Sequence, residues 1–125
     1  MTTKDVLVIA PHPDDETLGC GGTLFSHRAQ GDRLHWIIFT SIDAMDSYAE
    51  AKKKQRKDEI ETIASLYEFS SVVEYGYNTC TLDETPKSTM VARLSSDINR
   101  INPQIVYIPH EGDIHSDHKV VHEVS

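Results

Sequence analysis

Two short stretches of this 125-residue chain concentrate side chains that can hold a metal ion or move a proton. The first, Pro11-His12-Pro13-Asp14-Asp15-Glu16, packs one imidazole and three carboxylates into five consecutive positions. The second is His110-Glu111-Gly112-Asp113-Ile114-His115-Ser116-Asp117-His118. Zinc accepts imidazole nitrogen and carboxylate oxygen, and a catalytic zinc site keeps one coordination position open for water. Two histidines and one carboxylate drawn from the two stretches would make such a site. The blander reading of Asp14, Asp15 and Glu16 is that they cap a helix N-terminus and complement its dipole. That reading explains any one of the acids, but not a histidine among them between two stiff prolines. His118 and His122 are four apart, as in an H-E-x-x-H helix, but Lys119 stands where that motif needs its glutamate. His27, His35 and His122 fall at helix or strand positions and read as structural or surface residues, while His110 shares the second loop.

The surrounding sequence explains how the two stretches could meet. Val6-Leu7-Val8-Ile9-Ala10, Trp36-Ile37-Ile38-Phe39 and Ile105-Val106-Tyr107-Ile108 are continuous apolar runs, the pattern of strands buried on both faces. A third, shorter strand is predicted over residues 71–75. Helices are predicted over about 17–30, 48–67, from Pro86 to the Asn102-Pro103 stop, and from Ser116 onward. The second helix carries an apolar stripe only in its latter half, at Ile60, Ile63, Ala64 and Tyr67. The third presents Met90, Leu94, Ile98 and Ile101. Residues 76–86 read as a loop. Strands alternating with helices imply an α/β fold. The expected form is a three-layer α/β/α, Rossmann-like sandwich with a mainly parallel sheet in the order 3-2-1-4. In such a sheet ligands bind beyond the carboxyl ends of the strands, where the order reverses. That point lies between strands one and four, and both stretches follow those strands.

Length suits one domain over residues 1–125. The net charge of −8 argues against nucleic acid, whose affinity comes from Lys and Arg on phosphates. The run Lys52-Lys53-Lys54-Gln55-Arg56-Lys57 is flanked by Glu50, Asp58 and Glu59, and reads as a solvated helix face. Cys20 and Cys80 lack C-x-x-C spacing, so no thiolate zinc site or redox pair is indicated. The opening residues have neither the layout of a signal peptide nor a span long enough for a membrane, so a soluble cytoplasmic protein is expected. Gly19, Gly21 and Gly22 hint at a nucleotide-binding module without metal. Acids, however, occupy the place where a pyrophosphate would need bare N–H groups.

The first stretch resembles the (A/P)-H-P-D-D-E signature of the LmbE-like, or PIG-L, deacetylases, and His115-Ser116-Asp117-His118 resembles that family's H-x-D-H. Arg56 and Glu59 fit its R-x-x-E on the second helix. The resemblance implies one zinc ion per chain, held by His12, Asp15 and His118. It further implies Asp14 as the general base that takes a proton from the attacking water. His115 would stabilise the oxyanion, with Asp117 as its orienting carboxylate. The implied substrate is a small-molecule N-acetylated amino sugar, of the N-acetylglucosamine type, or a glycoconjugate of one. An inactive zinc-binding domain of the same fold, or an amidase acting on another small amide, are the alternatives; Asp14, an acid with no ligand duty, favours the enzyme. The sequence departs from the family at Leu66-Tyr67, at Thr40-Ser41-Ile42 and at Asp113, where some members carry a tyrosine. Members usually continue well past H-x-D-H. A chain that stops at Ser125 is therefore expected to form a homo-oligomer or to need a further C-terminal segment, with the contact around the fourth strand.

Overall fold

The computed structural model describes residues 3–13, 15–110 and 115–125, and for residues 16–20 the backbone alone. Strand β1 (Asp5–Ala10) leads into α1 (Asp15–Ala29), β2 (Arg33–Ser41) into α2 (Glu50–Leu66), and β3 (Ser71–Asn78) into α3 (Lys87–Ile101). β4 (Ile105–Tyr107) is followed by α4 (Ser116–Val124). The sheet order is β3-β2-β1-β4, and every pairing is parallel. Val8 of β1 is flanked by Trp36 on one side and Tyr107 on the other, so β1 is central and its end adjoins the end of β4.

The side-chain alternation of the strands builds two apolar layers. Leu7, Ile9, Ile37, Phe39 and Tyr75 face Met90, Leu94 and Ile101 of α3 and Val120, Val121 and Val124 of α4. Val6, Val8, Ala10, Leu34, Trp36 and Ile38 face Leu24 of α1 and Tyr67, with Ile60 and Ile63 of α2 packed alongside. Burying one such aliphatic or aromatic side chain is worth about 1.5–3 kcal/mol. Packing on both faces is what fixes the strand ends that carry the two loops. α3 stops at Asn102, which takes the left-handed conformation at φ 51° and donates its N–H to the Ile98 carbonyl.

Two expectations change. β3 runs to Asn78 rather than stopping near Tyr75, by means of a register shift against β2 between Ile38 and Thr40. Gly76 sits there at φ +76°, a conformation that favours glycine. β4 is shorter than the apolar run and is not fully buried: Val106 is 39% and Ile108 43% exposed. It pairs with β1 alone among the described residues. No residue of α2 is fully buried; Ile60 and Ile63, on the expected stripe, are half-buried against the core. Among the described residues no helix is long and apolar enough to cross a membrane.

Candidate metal and catalytic centre

The first loop is tied down before it reaches its histidine. The Pro11 carbonyl accepts from the Thr40 N–H at 3.0 Å and from Thr40 Oγ1 at 2.7 Å, locking the exit of β1 to β2. His12 and Asp15 then close a reciprocal turn. The His12 N–H donates to Asp15 Oδ2 at 2.8 Å, and the Asp15 N–H donates back to the His12 carbonyl at 3.3 Å. The Asp15 carboxylate thus ties the His12 loop to the start of α1, and it faces the histidines as well.

The second loop delivers His115, Asp117 and His118 through the N-terminus of α4. His115 is the N-cap, its Nδ1 accepting from the Asp117 N–H at 3.1 Å. His118 lies three residues further on, on the face turned to the first loop. Asp15 Oδ2 stands 3.4 Å from His12 Nδ1 and 3.3 Å from His118 Nε2. His12, Asp15 and His118 each present a ligand atom within 4.8 Å of the other two. Their side chains are 16%, 21% and 17% exposed, open enough for a ligand to enter. The ring centroid of His115 is 4.7 Å from that of His12 and 5.0 Å from that of His118. Two imidazoles and one carboxylate converging on one volume fit a zinc ion with a position left open.

Asp117 is fully buried. Its Oδ2 accepts from His12 Nε2–H at 2.9 Å and from the Cys80 N–H at 2.6 Å, while Oδ1 accepts from the Leu82 N–H at 3.2 Å. The carboxylate thus bonds His12 and the turn before α3, while the Asp117 N–H bonds His115 Nδ1. Burial pushes the His12 pKa down, but the hydrogen bonds to Asp15 and Asp117 and the charges of both acids outweigh it, and the pKa stands above the ordinary 6.5.

Asp14 and Asp113 lie outside the described residues. The other histidines are engaged elsewhere. His27 bonds Asp32 and the Tyr107 hydroxyl, His35 bonds Ser71 and Asp5, and His122 donates to the Pro109 carbonyl. His110 is exposed.

Sequence reasoning did not find the wall beside the cluster. Pro13, Thr40, Ser41, Asp43, Arg56, Lys57, Ile60 and Glu74 enclose a cavity of about 110 Å³ at the carboxyl ends of β1 to β3. Burial, and then the charge of Asp43, push the Glu74 carboxyl up. A larger, open concavity of about 530 Å³ runs along α2 between Ala51 and Ile63. Among the described residues it is lined by that helix alone and holds no histidine.

The family model described as PIG-L, GlcNAc-PI de-N-acetylase, matches residues 7–125. No curated protein sequence matches the chain. Among solved structures, the conserved protein TT1542 of Thermus thermophilus is 28% identical with a TM-score of 0.81, over 98% of this chain and 53% of that one. The N,N'-diacetylchitobiose deacetylase of Pyrococcus horikoshii is 25% identical with a TM-score of 0.81, over 97% of this chain and 47% of that one. A 4-carboxy-2-hydroxymuconate hydratase of Pseudomonas putida shares the fold, with a TM-score of 0.80 at 22% identity, over 98% of this chain and 54% of that one. The chain thus spans about half the length of these structures.

Proposed function

The chain belongs to the PIG-L family, and from that premise we propose that it is a zinc-dependent hydrolase that removes the acetyl group from an N-acetylated amino sugar. The observation that carries the reading is the convergence of His12 Nδ1, Asp15 Oδ2 and His118 Nε2 at the meeting of the β1 and β4 loops. These three residues would hold the ion, which when bound would lower the pKa of water to about 7 and polarise a carbonyl.

The remaining roles fall to the chain. Asp14, next to the ligand Asp15, takes the proton of the attacking water as the oxygen adds to the acetyl carbonyl. It returns that proton to the sugar nitrogen as the C–N bond breaks, releasing acetate and a free amine. A base so placed typically contributes about 10²–10⁴-fold. His115 stabilises the oxyanion. Because its Nδ1 accepts from the Asp117 N–H, Nε2 is the nitrogen that carries a proton to donate. One such donor is worth about 3–4 kcal/mol in the transition state.

The family match over residues 7–125 and the 25% identity to the N,N'-diacetylchitobiose deacetylase of Pyrococcus horikoshii support an N-acetylated amino sugar as substrate. The reading is tested by assaying amine release from N-acetylglucosamine, N,N'-diacetylchitobiose and inositol-linked N-acetylglucosamine, with zinc-loaded and chelator-treated protein. Zinc-dependent release from at least one of them is expected. Release from simple acyl amides and none from any amino sugar would show that the substrate class is wrong.

A further inference from the structure

The buried carboxylate of Asp117 is the meeting point of three segments that are far apart in sequence. His12 reaches it from the β1 loop with Nε2–H, the turn after β3 reaches it with the N–H groups of Cys80 and Leu82, and α4 supplies the carboxylate itself. A carboxylate that is 0% exposed is costly unless hydrogen bonds compensate it. Here three donors do so, and two come from one turn. Cys80 holds that turn in the left-handed region at φ 65°, a conformation non-glycine residues rarely adopt. Its N–H thereby points at Asp117, and the bond at 2.6 Å is the shorter of the two from this turn.

The consequence for His12 follows from its two nitrogens. An ionised carboxylate can only accept, so the nitrogen facing Asp117 carries the proton. In neutral imidazole the other nitrogen, Nδ1, is then the lone-pair donor, and Nδ1 is the atom beside Asp15. A carboxylate on the far side of a metal-binding histidine fixes its tautomer and ring orientation and raises its basicity.

We propose that Asp117 is a positioning residue for His12, holding Nε2–H so that Nδ1 faces Asp15 and His118, and that the Cys80–Leu82 turn is clamped to the site by the same carboxylate. The role toward a metal ion rests on the zinc reading above; the orientation of the imidazole does not.

The test uses the full chain with ¹⁵N-labelled histidine. In metal-free protein at a pH where His12 is neutral, long-range imidazole spectra should show the Nε2–H form, with Nδ1 unprotonated. In Asp117→Asn that single form should give way to a tautomer mixture. The Cys80 and Leu82 amides should exchange at least about tenfold faster, while the Val8 and Ile37 amides in the sheet keep their protection. Zinc affinity, read by competition with a chromophoric chelator, should fall by about 10–100-fold, the usual effect of losing such a partner. An Nδ1–H form of His12 in the parent overturns the proposal, and that reading needs no variant to fold. So does an Asp117→Asn protein whose zinc affinity and amide exchange match the parent's. If the parent binds no zinc at all, the zinc reading fails, and the tautomer and amide exchange alone decide the proposal.

Discussion

Lowering the pH is the simplest perturbation of the centre, and its effect on zinc binding can be worked out in sign and size. In the metal-free chain His12 lies between two acids, Asp15 at 3.4 Å from Nδ1 and Asp117 at 2.9 Å from Nε2. Burial alone would favour the neutral ring, but the bonds and charges of the two acids prevail and raise its pKa above 6.5. Zinc needs the lone pair on Nδ1, so binding below that pKa expels a proton. Affinity then falls about tenfold for each pH unit, or about 1.4 kcal/mol, for every proton displaced. Between pH 7.5 and 5.5 the loss should therefore exceed about tenfold from His12 alone. Without metal the sign reverses. A raised folded pKa contributes stability that is fully present below the unfolded pKa and is lost as pH rises through the folded one. The rise in melting temperature produced by zinc should therefore grow with pH. Chelator competition and thermal melts from pH 5.5 to 8.5 measure both. A zinc affinity that is flat over that range would refute the assignment of His12 as a ligand.

Substitutions separate the roles. His118→Ala removes one of three ligands and should abolish zinc binding in elemental analysis; a variant that retains zinc as well as the parent would move the site elsewhere. Asp14→Asn should keep the metal and lose at least about 10²-fold in kcat, and a loss of metal instead would make Asp14 the ligand. His115→Ala should lower kcat by about 10²–10³-fold with KM little changed, as expected when a transition-state donor is removed. Asp117→Ala leaves the Cys80 and Leu82 N–H groups without their acceptor. Only the Leu82 N–H is then an orphaned buried donor, at about 1–3 kcal/mol, so metal-free protein should melt several degrees, roughly 3–15 °C, below the parent in a calorimetric scan.

The parts of the fold that could be read from sequence are those where one residue type does one job. β1 and β2 are buried on both faces, so their positions are almost all apolar and the runs stand out. β4 looks the same in sequence, yet Val106 and Ile108 are exposed; an apolar run does not say which of its faces a neighbouring segment covers. The last residues of β3 are hidden because Gly76 and Asn78 are turn formers, and a register shift lets them stay in the sheet. At the site, the histidines and acids are legible because side chains carry the chemistry and both loops end strands that have to be neighbours. The partners of Asp117 are not, because Cys80 and Leu82 contribute backbone N–H groups that no side chain advertises. Arg56 and Glu59 look like a pair in sequence, but Arg56 lines the cavity by Pro13 while Glu59 lines the open concavity along α2.

The central claim is that one zinc ion, held by His12, Asp15 and His118, makes this chain a deacetylase. Titrating zinc into metal-free protein while following bound metal and acetate release from an N-acetylated amino sugar tests it most directly. The expected result is that both rise together and break at one zinc per chain. Activity that does not depend on zinc, or zinc bound at that stoichiometry without any acetate release from amino-sugar substrates, would contradict it.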